Sequence, residues 1–212
     1  MPTLEELTLW IHIAGGTVAL VAGVGALITK KGGFRHRGAG KVFLVSMGVV
    51  VGTVVILLPL DPTPLRAILT LVAIFSGYLA FSGYRALSRK CPAQTGHLVD
   101  WTAAGSVIIA CLGLGVCGIS WVLDGRSFGI VMLVFGGIGI AFGTMDIRLF
   151  QTSKSEEWMV NHLQRMIGAF IATVSAVSAV NLTPVMGITA WLWPTAIGVP
   201  LIYYWSKKHS ST

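Results

Sequence analysis

Charge is what this chain has least of. Only 11% of its 212 residues are Asp, Glu, Lys or Arg, and 54% are hydrophobic. A water-soluble domain carries about 25% charged residues, so the deficit excludes a soluble protein unless lipid covers the surface. Charge is also missing where intramembrane chemistry would use it. No Lys, Arg, Asp or Glu falls in the middle of any long apolar run, which weighs against a Schiff-base lysine, the buried carboxylates of a proton pump and the cationic helix of a voltage sensor. Cysteine is sparse too. Cys91, Cys111 and Cys117 form no CxxC pair, and the last two lie inside an apolar run, so all three read as helix filler rather than redox or metal ligands. Long polar segments are absent, which leaves no room for a large soluble domain.

What remains is a series of apolar runs. About 20 such residues cross the hydrocarbon core, and seven segments qualify: 9–29, 42–60, 65–84, 102–123, 128–147, 166–182 and 188–204. Polar turns with Pro or Gly separate them, LDPTPLR at 60–66, LDGRSF at 123–128 and the uncharged NLTPVMG at 181–187. The expected fold class is all-α, a polytopic membrane helix bundle of seven transmembrane helices forming one domain over 1–212. The amino-terminal MPTLEELTLW lacks the cationic segment of a signal peptide, so the first apolar run is expected to stay as the first span.

The 15 cations are unevenly placed. Lys30, Lys31, Arg35, Arg37 and Lys41 follow span one, Arg85, Arg89 and Lys90 follow span three, Arg148, Lys154 and Arg165 follow span five, and Lys207 and Lys208 follow span seven. Only Arg66 and Arg126 fall on the opposite side. The positive-inside rule then puts the N-terminus outside and the C-terminus in the cytoplasm, of a bacterial or archaeal plasma membrane. The net charge of +7 comes from these short loops and not from a basic soluble face, so no nucleic-acid partner is expected. The lipid bilayer is the expected partner, with other membrane subunits or a homo-oligomer left open. Trp10, Trp121, Trp158, Trp191, Trp193, Tyr203, Tyr204 and Trp205 fall near span ends, where amphipathic rings prefer the headgroups. Gly139 and Gly143 have GxxxG spacing, which serves either a dimer contact or close packing within one bundle.

The polar candidates are histidines. His36, His97 and His162 sit at or just before the starts of spans two, four and six, which share one membrane face. Imidazole ligates divalent metals and haem iron, so the three are candidate ligands of a divalent metal or of haem b. Asp100, one turn after His97, is a candidate partner that would fix its tautomer, and Asp146, Glu156 and Glu157 lie on the same side. Arg37 and Arg165, with Arg35 and Arg89, are placed to hold an anionic headgroup, a quinone carbonyl or a haem propionate near the helix starts. His12 lies alone near the opposite face, with Glu5 and Glu6 as its nearest acids. It has no second histidine at its depth, which weighs against a two-haem arrangement and leaves a polar interhelical contact, for example with a Ser or Thr of a neighbouring span, as one reading.

Several motifs resemble a known pattern. IHIAGGTVALVAG in span one, HRGAGKVF at 36–43, GYRAL at 83–87 and either GHLVDW at 96–101 or NHLQRMIGAF at 161–170 resemble the prokaryotic membrane-protein family labelled domain of unknown function 2306. The resemblance covers spans one to four, or one to three plus six, and this chain has more spans than that family's usual core. It implies an integral membrane protein and singles out His12, His36, Arg37, Gly40, Arg85 and His162, without assigning an activity. In topology the chain also resembles membrane zinc hydrolases of the ceramidase and adiponectin-receptor type, but those carry an HxxxH pair in the last span and span seven here has no histidine. The leading functional expectation is a metal, haem or quinone-type cofactor bound through the cytoplasmic-side histidines. The alternatives are a small-solute transporter or channel, an accessory subunit of a larger complex, and a membrane zinc hydrolase.

Overall fold

Seven α-helices follow one another: α1 (Leu4–Ile28), α2 (Phe34–Leu60), α3 (Pro64–Ala86), α4 (Leu98–Leu123), α5 (Gly129–Thr152), α6 (Trp158–Met186) and α7 (Thr189–Ser210). A 3-10 turn, Leu87–Lys90, continues α3. The computed structural model describes residues 2–90, 96–152 and 158–210; Cys91, Lys154, Glu156 and Glu157 lie outside them. Helices α1 to α6 are long and apolar enough to cross a membrane. The 22-residue α7, with Pro194 and Pro200 inside it, is not among them.

Local chemistry sets the helix ends. Thr3 and Glu6 form a capping box at the start of α1, where the Thr3 hydroxyl accepts from the Glu6 N–H at 3.2 Å and the Glu6 carboxylate accepts from the Thr3 N–H at 2.9 Å. Thr63 caps α3, with Pro64 at its first position. Three hairpins turn on glycines at positive φ, Gly32 at +74°, Gly125 at +74° and Gly187 at +56°, a backbone shape that glycine adopts without a Cβ clash.

The basic stretch after span one departs from expectation. Of KKGGFRHRGAGK only Lys30–Gly33 lies outside a helix, and α2 begins at Phe34, eight residues before the apolar run at Val42. His36, Arg37, Gly38 and Gly40 are therefore helical. In the same way α6 begins at Trp158 rather than Met166 and runs through Pro184 to Met186, which reduces the expected NLTPVMG turn to its last residue. An apolar run measures the thickness of hydrocarbon. Backbone hydrogen bonding is as strong in the headgroup layer, so a helix continues past the run until a turn residue stops it.

The packing is three hairpins around one helix. α1 packs on α2, α4 on α5 and α6 on α7, and α3 touches α2, α4, α5 and α6. α3 is also the most buried, with 56% of its apolar window inside the protein against 17% for α1. Val72, Phe75, Tyr78 and Leu79 of α3 meet Phe43 and Met47 of α2, Val107 and Cys111 of α4, Phe135 of α5 and Ala169 of α6 in one core. Because α1, α3 and α5 end where α2, α4 and α6 begin, the cation-rich segments gather at one end of the bundle, here called the basic end. Arg66 lies at the other, hydrogen-bonded to Glu5 at 2.5 Å.

Glycine brings α4 and α5 together. A methyl group at Gly129 would sit 2.5 Å from the Gly118 carbonyl, and one at Gly136 3.0 Å from the Cys111 carbonyl. Gly139 faces Cys111 and Phe75, and Gly143 faces Ile108. The GxxxG pair is thus used within the bundle, as backbone approach in a membrane interior requires. Trp191 is not interfacial as expected. It is 2% exposed, packs edge-on against Phe128 at 4.9 Å and donates its indole N–H to the Thr183 hydroxyl. Around the outside Val21, Ile109, Val116 and Val185 are 66% or more exposed; an apolar surface of this extent needs lipid contact. The chain is a multi-pass membrane-type helix bundle.

Candidate functional site

The polar side chains of the basic end arise from helix termini. The last four carbonyls of a helix have no partner within it. In α1 one of these belongs to Ala26, and it accepts from Nδ1–H of His36 at 2.9 Å and from Nζ of Lys31 at 3.1 Å. In α3 another belongs to Gly83, and it accepts from Nδ1–H of His162 at 2.8 Å. A carbonyl can only accept, so both rings carry their proton on Nδ1 in these bonds. The two imidazoles then meet edge to face, with centroids 6.5 Å apart and planes at 78°. Two histidines 126 positions apart in the chain are thereby joined, and both are half-buried.

His97 does not join them. It is exposed at the start of α4, where its backbone N–H donates to Asp100 at 2.9 Å. The Asp100 carboxylate holds no imidazole. It also accepts from Nε and a terminal nitrogen of Arg85, at 2.7 and 2.8 Å, and so ties the start of α4 to the end of α3 by a bidentate fork. Arg37 is exposed beside His36. Among the described residues no three His, Cys, Asp or Glu side chains lie close enough to hold one ion.

Beneath the histidines lies a buried polar network. Arg165 of α6 pairs with Asp146 of α5 at 2.7 Å, the side chains 1% and 2% exposed. The Arg165 guanidinium also stacks over the Phe142 ring at 4.2 Å. Tyr78 of α3 donates its hydroxyl to the other Asp146 oxygen at 2.5 Å. One carboxylate thus joins α3, α5 and α6 at their common end. Burial makes every bond in it matter, since an unpaired charge here would lose its hydration without return. Arg165 faces this ion pair and not a histidine. Tyr78 is the residue that sequence reasoning does not single out. Its one signal is a phenol within an apolar helix, two turns before Arg85.

Arg89 completes the cluster from the 3-10 turn. It is 8% exposed, and its guanidinium stacks on Phe150 at 4.7 Å. Phe150 in turn meets Trp101 edge to face at 5.3 Å and crowds Gly96, where a Cβ would come within 2.8 Å of the ring.

At the opposite end His12 is held by Thr53 of α2, Nδ1 to Oγ1 at 2.8 Å. The Thr53 hydroxyl donates to the carbonyls of Val49 and Val50, so it accepts from the imidazole. The two neighbouring acids are engaged elsewhere: Glu5 pairs with Arg66 and Glu6 caps α1. No family model, curated protein or solved structure matches this chain.

Proposed function

We propose that this multi-pass membrane protein binds a cofactor at its basic end through His36 and His162. The observation that carries the proposal is the meeting of these two rings, each oriented by an Nδ1–H bond to a backbone carbonyl. A histidine that ligates through one nitrogen commonly donates the other to a carbonyl or carboxylate. Two imidazoles on opposite sides of one ion have centroids roughly 6 Å apart, given metal–nitrogen bonds of about 2 Å. The donor set favours ligands that take two protein nitrogens, a haem iron or a divalent metal with other ligands, or a quinone-type carbonyl held by hydrogen bonds. It disfavours the zinc hydrolase reading, which needs three protein ligands and an open position.

The same proposal takes α7 as a seventh span, with the N-terminus outside and the basic end in the cytoplasm, supported by the placement of the cations. It also takes the chain as related to the family labelled domain of unknown function 2306, supported by the convergence of His36, Arg85 and His162 on one end. The test is to purify the protein from its native membrane and measure its optical spectrum, metal content and organic extract. A Soret band, about one equivalent of metal, or a co-extracted quinone, lost in His36→Ala and His162→Ala, is expected. A colourless, metal-free and quinone-free protein overturns the reading.

A further inference from the structure

The basic end holds three arginines on its inner surface, Arg85, Arg89 and Arg165, and two aspartates. Both aspartates are committed. Asp100 is gripped by Arg85, and Asp146 by Arg165 and Tyr78. Arg89 has neither. Among the described residues it enters no ion pair, and one of its terminal nitrogens is buried without any hydrogen-bond partner. Arg165 keeps a second buried N–H without a partner in the same cluster. Asp146 and Tyr78 lie within electrostatic reach of both arginines.

Burying a guanidinium is costly unless an anion and hydrogen bonds compensate it. Stacking on Phe150 returns only a small part of that cost. A residue present only to fill this space would be better as Met or Leu. The position of Arg89 matters as well. It sits in the 3-10 turn that follows α3, just past the apolar stretch, where a spanning helix meets the headgroup layer.

We propose that Arg89 anchors a binding site for a phosphate-type oxyanion, its planar guanidinium supplying the N–H donors. Phe150 and Trp101 form the wall behind it. Guanidinium suits this task better than ammonium because its donors form a fixed fork. The site is separate from the His36–His162 pair and does not rest on the cofactor reading. Two sources supply such a group, an anionic lipid headgroup or a free phosphate.

The test uses the full chain, stripped of lipid by exhaustive washing in a maltoside detergent, which carries no phosphate. Thermal midpoints are read during separate titrations with phosphatidylglycerol and with inorganic phosphate. The wild type is expected to gain stability with one of them, phosphatidylglycerol if the source is lipid, inorganic phosphate if it is free. The half-saturating concentration should rise roughly tenfold or more in Arg89→Gln, as expected for a lost hydrogen bond to a charged group, and by less in Arg89→Lys. Arg126→Gln, at the far end, should keep the wild-type response.

Arg89→Met separates binding from a purely structural role. In the stripped protein its midpoint should equal or exceed that of the wild type, because the unpaired charge is gone. With saturating ligand the order should reverse. If neither ligand shifts the wild type, if Arg89→Gln responds as the wild type does, or if Arg89→Met is less stable even when stripped, the proposal is overturned.

Discussion

Arg165 and Asp146 face each other at 2.7 Å with their side chains 1% and 2% exposed, and Tyr78 donates to the same carboxylate. Three helices, α3, α5 and α6, are thus joined at the basic end by one buried charge pair. Removing one member leaves the other charge buried and alone, so Asp146→Leu or Arg165→Leu should each cost about 3–5 kcal/mol. The double variant should cost less than the sum of the two. Unfolding in detergent, arranged as a double-mutant cycle, measures the coupling; strict additivity would show that the pair is not a unit.

Tyr78→Phe keeps the ring and removes the hydroxyl. The lost bond is to a charged acceptor, and its removal should cost about 1.5–3 kcal/mol in the same assay. In an Asp146→Leu background the acceptor is already gone, so the same change should cost little. An equal loss in both backgrounds would place the effect elsewhere.

Two glycines should behave oppositely. Gly139 lies against Cys111 and Phe75, so Gly139→Val must push α5 off α4 and should cost about 1–3 kcal/mol or more. Gly40 lies in α2, and a Cβ there would meet nothing within 4 Å. Gly40→Ala should be neutral or stabilising by up to about 1 kcal/mol. If Gly40→Ala instead abolishes cofactor or ligand binding without loss of stability, its place in the motif is functional.

Orientation is open to a direct labelling experiment. With the native cysteines replaced, Ser127→Cys and Lys30→Cys occupy exposed positions at opposite ends of the bundle. A membrane-impermeant thiol reagent applied to intact cells should label Ser127→Cys and spare Lys30→Cys until the membrane is opened. The reverse pattern would invert the proposed topology.

The Thr53–His12 contact offers a local test of the far end. Thr53→Val preserves shape and removes the hydroxyl acceptor, which leaves the half-buried imidazole with the backbone at Val50 as its remaining partner. A loss of about 0.5–1.5 kcal/mol is expected, and His12→Leu in the Thr53→Val background should recover part of it.

Six of the helices and their main breaks were legible in the sequence, because the cost of exposing peptide groups to lipid forces one long apolar run per crossing. Helix ends were less legible. Residues 34–41 include Arg35, His36, Arg37 and Lys41 and are yet helical, since polar side chains in the headgroup layer do not interrupt backbone hydrogen bonding. That His36, His97 and His162 share one end follows from alternating helix direction. Which of them meet does not, because these helices are apolar around most of their circumference and hydropathy does not mark the inner face. His97 turns outward and His36 turns to His162 for reasons set by packing. The pairing of Arg165 with Asp146 escaped for a related reason. Each residue lies near a span end, where a charge is ordinary, and only the tertiary structure reveals that both are enclosed.

The central place of α3 has a consequence for the order of assembly. Its phenol finds Asp146 68 residues later in the chain, and its Gly83 carbonyl finds His162 79 residues later. At synthesis rates of about 5–20 residues per second, several seconds pass between the emergence of α3 and that of its partners. During that interval the helix that becomes the most enclosed in the protein carries an unmatched phenol, and its neighbour Arg89 lies beside a membrane surface. Its early stability must come from α2 and from the headgroups, and the last helices to arrive close the structure around it.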